Sequence, residues 1–505
     1  MKAAIKGRKE VHHMNEQENT TMNIIEPETL PSCGENGGTW CGQALTRVLI
    51  GFTLTGLTLN FLGLNYILPA IGLVFQLVGF RALRRENAGF KSGYVIAIIR
   101  TFYVAVWMIL DTTIYSDVLT GTTAAVVLTV SSLALVLVQV VCLWSGLKAL
   151  RQKAGFEAKC GAAAALIVWD AALCALGLIG LGGWITVIVM LALYIIIMHR
   201  LFKLAGELDN AGCTIASVPV KVKDWQLVLS LAVVLTAGMA CGYAFGGSYS
   251  MEWTPLDNAA QAEVQSTKAQ LLELGFPEAV LNDLSAEDIA ACEDATQVLS
   301  HTEDMPADDG REVTTQTGEN SYRIDTVYDA KELRLTGVAV RVKQADGTDK
   351  WILFHHFLWT QPMNYYGTEA LQLWSSNSSD WWPDGDMTGR VLCDRDGQTL
   401  TAAYHSLGAQ DSYMTDFFGN VQSSSTLTGA FSMPRGSENQ RGYVCYPIQT
   451  ATEDTYVNSW TTYVHQKSWM QYPARTAVES ARDGGAFKAI QFALQFDALE
   501  GRMMY

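Results

Sequence analysis

The chain has 505 residues, 49% of them hydrophobic, with a mean hydropathy of +0.13 and a formal net charge of −15. The acid is local: residues 252–310 carry 14 Asp and Glu against one Lys, whereas residues 1–251 carry 18 Lys and Arg against 14 Asp and Glu. This excludes nucleic acid as a partner of the C-terminal half, because a polyphosphate repels acid. It also leaves long uncharged runs in the N-terminal half that suit lipid better than water.

Residues 1–44 are polar and lack periodicity, with no apolar stretch behind the first basic residues. They read as a disordered cytoplasmic tail and not as a signal peptide. Residues 45–247 read as a transmembrane domain. Val48 to Phe80 is uncharged throughout, and Gly161 to Met198 is broken only by Asp170. At about 1.5 Å per residue each run overshoots a ~30 Å hydrocarbon core. Turn material lies near the middle of each, NFLGLN and GLIGLGGW, so each divides into a helical hairpin. With Tyr94–Leu110, Thr122–Leu147 and Trp225–Phe245 this predicts about seven helices in hairpins.

Basic residues mark alternate connections. Arg81, Arg84, Arg85 and Lys91 follow the second helix, Lys148, Arg151, Lys153 and Lys159 the fourth, and Arg200, Lys203, Lys221 and Lys223 the sixth. The other connections have no Lys or Arg. Cationic loops stay in the cytoplasm, which puts the N-terminus inside and everything beyond the seventh helix outside, in a multi-pass cell-membrane protein. The segment GFRALRRENAGF at 79–90 matches GLKALRQKAGF at 146–156 with one residue deleted, and HRLFKLAGEL at 199–208 is a weaker third copy. A hairpin used about three times, with one helix appended, accounts for the pattern. Repeats of this kind occur in transporters.

Two charges fall within the runs. Arg100 lies ~10 Å and Asp170 ~13 Å along helices that both start at the cytoplasmic face. An isolated charge at such depth costs about 2.5–3.5 kcal/mol or more. An Arg100–Asp170 ion pair, structural or functional, relieves both.

Residues 252–310 read as an acidic helical segment ending in a linker, HTEDMPADDG. Within it, Ser285 and Asp288 form a capping signature. From 311 to 505 the period changes to two. SYRIDTVYD, ELRLTGVAVRVK, KWILFHHFLW, GRVLCDRDGQTLTAAYHSL, RGYVCYPI and the alternating 489–496 stretch read as strands, with Asp-Gly hairpin turns at 346–347 and 396–397. The fold class is thus a multi-pass α-helical membrane domain followed by a soluble α+β region, whose last part is an antiparallel β-sandwich or jelly roll.

Eight of the 14 Trp lie beyond residue 250. The stretch SSNSSDWWPDGDMTG, ending at 389, is the candidate ligand loop. Trp381 and Trp382 offer flat faces to a sugar ring, and Asp380, Asp384 and Asp386 offer the clustered carboxylates that Ca²⁺ requires, without EF-hand spacing. His355 and His356 are adjacent in a strand and therefore point to opposite faces, one inward and one outward. Of the ten Cys, none forms a CxxC, and a Cys393–Cys445 disulfide is left open. No G-x-S-x-G, H-E-x-x-H or P-loop occurs. The sequence therefore predicts a membrane protein displaying an extracytoplasmic binding or sensing domain for a glycan, cell-wall or protein ligand, with a possible membrane partner. A transporter or permease and a membrane-anchored ectoenzyme are the alternatives, and no catalytic residue or resident cofactor is assigned.

Overall fold

A computed structural model describes residues 39–56, 63–116, 122–179, 183–215, 221–257, 263–318, 321–375, 381–415, 421–450, 456–468, 471–485 and 487–504. Both long apolar runs divide as the turn residues require. Helix α1 (Cys41–Gly56) and α2 (Leu64–Leu83) come from the first, and Gly63, at φ 71°, supplies the left-handed residue that starts α2. Helices α3 (Ala88–Leu110) and α4 (Thr123–Lys153) follow. The second run gives α5 (Gly161–Ile179) and α6 (Trp184–Asn210), and α7 (Asp224–Phe245) closes the series. Five of these, α2, α3, α4, α6 and α7, are long and apolar enough to cross a membrane. The tail expected up to residue 44 lies mostly outside the described residues. Its end is corrected: α1 begins at Cys41, and β1 (Thr39–Trp40) pairs with β2 (Thr214–Ile215).

Six of the helices close into a ring. Helix α1 packs on α2, α2 on α3, α3 on α4, α4 on α5, α5 on α6 and α6 back on α1, while α7 lies outside against α3. The outward faces are apolar, with Phe102, Trp184, Ile185 and Val234 all more than 60% exposed, as lipid contact requires. The first two repeat copies touch each other. Asn87 caps α3 by accepting from the Phe90 amide and donates to the Gly146 carbonyl at 3.0 Å. A Cβ on Gly146 would sit 2.6 Å from the Phe90 ring, so only glycine permits this approach.

The C-terminal region is antiparallel throughout. In chain order its strands are β3 (Thr254–Pro255), β4 (Ala295–Met305), β5 (Arg311–Gly318), β6 (Ser321–Val327), β7 (Leu333–Lys343), β8 (Asp349–Trp359), β9 (Glu369–Ser375), β10 (Trp381–Pro383), β11 (Thr388–Arg395), β12 (Gln398–Ala402), β13 (Ser406–Thr415), β14 (Val421–Phe431), β15 (Glu438–Thr450), β16 (Tyr456–His465), β17 (Lys488–Asp497) and β18 (Arg502–Met503). One sheet runs β3-β12-β11-β15-β8-β7-β4, with β10 also on β15, and a second runs β13-β14-β9-β16-β17-β18. Strands β5 and β6 form a separate hairpin.

Alternation along β8 shows how the layers stack. Trp351, Leu353, Phe357 and Trp359 share a core with Leu371, Tyr463 and Phe496 of the second sheet. Ile352 and Phe354 point the other way, into a core with Leu271, Leu281 and Ile289. Those three belong to the short helices α8 (Gln265–Glu273), α9 (Glu278–Asp283) and α10 (Ala286–Ala290). Helix α11 (Ala477–Asp483) covers Ala370 and Val464 on the far face of the second sheet. The expected linker at 301–310 is corrected in its first half. Strand β4 runs to Met305, pairing Ser300 with Val338 and Met305 with Leu333. Glu303 and Asp304 sit on this edge strand, where charge discourages pairing with another chain; that charge is what disguised the strand.

The two halves meet at one end of the ring. The Ala474 amide donates to the Asp111 carbonyl at 2.6 Å and Tyr243 Oη donates to the Gln471 carbonyl at 2.9 Å. The Tyr66 and Tyr472 rings meet edge to face at 4.7 Å. Beyond α7, the Tyr249 ring stacks on His405 and its amide donates to Ser432 Oγ. At the opposite end Arg81 pairs with Asp224 at 2.9 Å, and Lys153 with Glu86 at 2.7 Å.

Candidate functional site

Inside the ring, one polar level crosses all six helices. Arg100 of α3 donates to Gln76 Oε1 of α2 at 3.2 Å and to Gln139 Oε1 of α4. Gln76 Nε2 passes the chain on to Thr55 Oγ1 of α1 at 3.0 Å. Tyr194 of α6 donates to the Phe52 carbonyl of α1 at 2.7 Å, and Asp170 of α5 lies within electrostatic reach of both Tyr194 and Arg100. Arg100 and Asp170 are therefore brought to one level, but the first partners of the guanidinium are two fully buried carboxamides, not the carboxylate. The spacing of charged residues located Arg100 and Asp170. The sequence also marks Gln76 and Gln139 as amides able to bond across helices, but not that both would hold Arg100, because the signal is only their shared depth.

In the candidate ligand loop, Asp380 lies outside the described residues. The other members part company. Strand β10 pairs Trp381 with Thr450 and Trp382 with Gln449, so the two indoles face opposite ways. Trp381 is 6% exposed and stacks on Tyr446 in the core between the sheets, its indole N–H without a hydrogen-bond partner among the described residues. Trp382 is 47% exposed. Asp384 pairs with Lys350 at 2.9 Å, and Asp386 is exposed. Among the described residues no three His, Cys, Asp or Glu side chains gather as a metal site.

A groove of about 820 Å³ opens at the β7–β8 turn and reaches Gln449, the strand partner of Trp382. Arg341, Asp349, Lys350, Asp384, Gln449 and Thr450 line it. Its charges are already matched, Arg341 to Asp349 at 2.7 Å and Lys350 to Asp384, and the Arg341 guanidinium lies 5.7 Å over the Trp351 ring. Such a surface offers many hydrogen-bonding groups and little net charge. A second aromatic platform escaped the sequence reading: Trp374 and Trp460 stack at 5.3 Å on the second sheet. They lie 86 residues apart, and only the pairing of β9 with β16 joins them.

Both histidines of β8 are buried, 2% and 4% exposed, which corrects the expectation that one faces outward. His355 lies between the sheets, its ring nitrogens bonded to Ser459 Oγ at 2.8 Å and Thr461 Oγ1 at 2.5 Å. Burial pushes the imidazole down to about 3. The Ser459–His355 contact has the form of a nucleophile and base, but both residues are sealed in the core. His356 faces the helical layer, which covers the side expected to be open. It bonds Asp283 Oδ2 at 2.9 Å, while Arg441 holds Asp283 Oδ1 at 2.8 Å and Arg390 binds the Asp283 and Leu284 carbonyls.

Burial would raise the Asp283 carboxyl, but the bond to His356 and the charge and bond of Arg441 outweigh it and hold it below the usual range. Its contribution to stability is therefore complete above the ordinary carboxylate range and is lost as pH falls through the depressed value. Asp283→Ala leaves the Arg441 charge half-buried without its main partner and costs about 3–5 kcal/mol. Denaturant unfolding at neutral pH followed by Trp fluorescence measures this, and an unchanged midpoint would mean the network stabilises nothing. Elsewhere, Glu369 and His465 form a buried pair at 2.8 Å, with burial raising the Glu369 carboxyl.

Cys393 packs in the core between the sheets and Cys445 in the core under the helices. They occupy opposite faces of one sheet, so no disulfide joins them.

No family model matches the chain, and no curated protein matches it. One solved structure, described as "pH-induced modulation of Streptococcus parasanguinis adhesion by Fap1 fimbriae", is similar at 10% identity over 33% of this chain and 74% of that chain, with a TM-score of 0.16. So loose a superposition carries no argument about fold or activity.

Proposed function

We propose that this is a multi-pass membrane protein that displays its β domain, a two-sheet sandwich, on the extracytoplasmic side as a binding or sensing module. All seven helices α1–α7 cross the bilayer in this reading, the shorter α1 and α5 included. The observation that carries it is the asymmetry of the ring. The end that docks the β domain presents the residues around Tyr66, Asp111 and Tyr243, and its connections hold no Lys or Arg; the other end holds Arg81, Arg84, Arg85, Lys91, Lys148, Arg151 and Lys153. Cationic loops stay cytoplasmic, which favours an outward β domain.

The exposed Trp382, paired in the sheet with Gln449 of the charge-matched groove, suits a sugar or another polar cell-surface ligand, stacked on the indole and hydrogen-bonded by groove residues such as Gln449 and Thr450. The polar level around Arg100 favours a lock more than a transport path, because one guanidinium nitrogen ties the Gln76 and Gln139 carbonyls of α2 and α4 together.

Lys343 and Gln398 are exposed strand residues that flank two β turns, and each is replaced singly by Cys. In intact cells a membrane-impermeant maleimide labels both; labelling only after permeabilisation reverses the topology. Full-length protein in nanodiscs retains glycans on an array, and Trp382→Ala weakens that retention at least tenfold. No retention on any glycan removes the sugar reading while leaving the topology standing.

A further inference from the structure

Helices α1 and α6, the first and last of the ring, meet along one seam. The chain flanking that seam is tied by the β1–β2 ladder, which pairs Thr39 with Ile215 and Trp40 with Thr214. The next rung therefore sets Cys41 against Cys213. One bond of that rung is made: the Cys41 amide donates to the Cys213 carbonyl at 3.1 Å, while the Cys213 amide turns back to the Leu208 carbonyl at 3.2 Å at the end of α6. Facing residues in an antiparallel ladder stand about 4.5–5.5 Å apart between Cα atoms. A disulfide spans roughly 4.4–6.8 Å, so the spacing of facing residues at this rung lies within its reach.

The two sulfurs differ in access. Cys41 is fully buried and Cys213 half-buried. The Lys153 ammonium, bonded to Glu86, lies within electrostatic reach of both. Asp209, near the end of α6, accepts the Gly42 amide at 2.6 Å and holds the start of α1 in place.

We propose that Cys41 and Cys213 form a reversible redox latch across the seam of the ring, closed by low-molecular-weight disulfides of the glutathione class. Cys213, the accessible thiol, gives up its proton and attacks the external disulfide, forming a mixed disulfide and releasing one small thiol. Cys41 then gives up its proton and attacks the Cys213 sulfur, expelling the second small thiol. Two protein thiols are oxidised to one disulfide, and one external disulfide is reduced to two thiols. The contact exists whichever way the protein faces; the compartment decides only whether the latch stands open or closed.

The test is to equilibrate the full-length protein in detergent micelles with glutathione disulfide and to identify linked peptides by mass spectrometry. A Cys41–Cys213 link forms and is reversed by dithiothreitol. It is absent from Cys41→Ser and from Cys213→Ser, and retained in Cys33→Ser and Cys142→Ser. The linked protein unfolds at a higher temperature than the reduced one. Cys213→Ser, at a half-buried position, separates loss of the link from loss of the fold, since its reduced form unfolds where the reduced parent does. The latch is overturned if Cys213 becomes glutathionylated while Cys41 stays reduced, if no link forms at any glutathione ratio, or if Cys33 takes the place of either residue.

Discussion

Acidifying the protein from pH 7 to pH 4 removes about 3 kcal/mol of β-domain stability through His355 alone. The imidazole is held at about 3 in the folded domain by burial, against an unperturbed value of about 6.5 in the unfolded chain. As pH falls below 6.5 the unfolded chain takes up a proton that the folded domain refuses, so unfolding is favoured at about 1.4 kcal/mol per pH unit until the folded group titrates. This stability is complete above the unfolded value and is lost as the pH drops toward 3. His355→Gln, which keeps hydrogen bonds available to Ser459 and Thr461, flattens the decline between pH 6.5 and 4. Chemical denaturation of the full-length protein across that range measures it; an equally steep decline in parent and variant would assign the acid sensitivity elsewhere. Asp283 acts below this window, because its carboxyl is depressed from an already low value.

The second large effect lies inside the ring. Gln76→Leu combined with Gln139→Leu removes both carbonyls that hold the Arg100 guanidinium. A charge in a lipid-surrounded interior then loses its hydrogen-bond partners, at a cost on the order of 3 kcal/mol. Adding Arg100→Met returns most of that loss, because an apolar side chain of similar length needs no partner. Thermal unfolding in micelles reads both steps. If the double variant unfolds where the parent does, the guanidinium has another partner, and Asp170, already within electrostatic reach, is the first to examine.

Much of this architecture is legible in the sequence, for physical reasons that differ by region. A 33-residue uncharged run is too long for one crossing, and Gly63 marks where it folds back. The Asp-Gly at 396–397 requires positive φ at both residues, found at 53° and 76°. Alternation in KWILFHHFLW placed the two histidines on opposite faces. The same alternation could not say that helices cover the second face, since that depends on residues 265–290 folding back over the sheet. Charge hid strand β4, because Glu303 and Asp304 suit an edge strand as well as a linker. The rung between Cys41 and Cys213 joins residues 172 positions apart, and nothing local to either announces the other. Of the candidate loop, composition picked out both tryptophans, but only the pairing of β10 with β15 decided which one stays in the core.

The connection between α7 and the β domain spans only the residues from Gly246 to Trp253. It is pinned at Gly246, which accepts from the Ile114 amide at 2.9 Å, and again at Tyr249. A swivelling tether would let the β domain turn independently of the helices. This one has no free swivel: a rotation of the β domain drags the end of α7 through Gly246 and, through the Ile114 amide, the segment that follows α3.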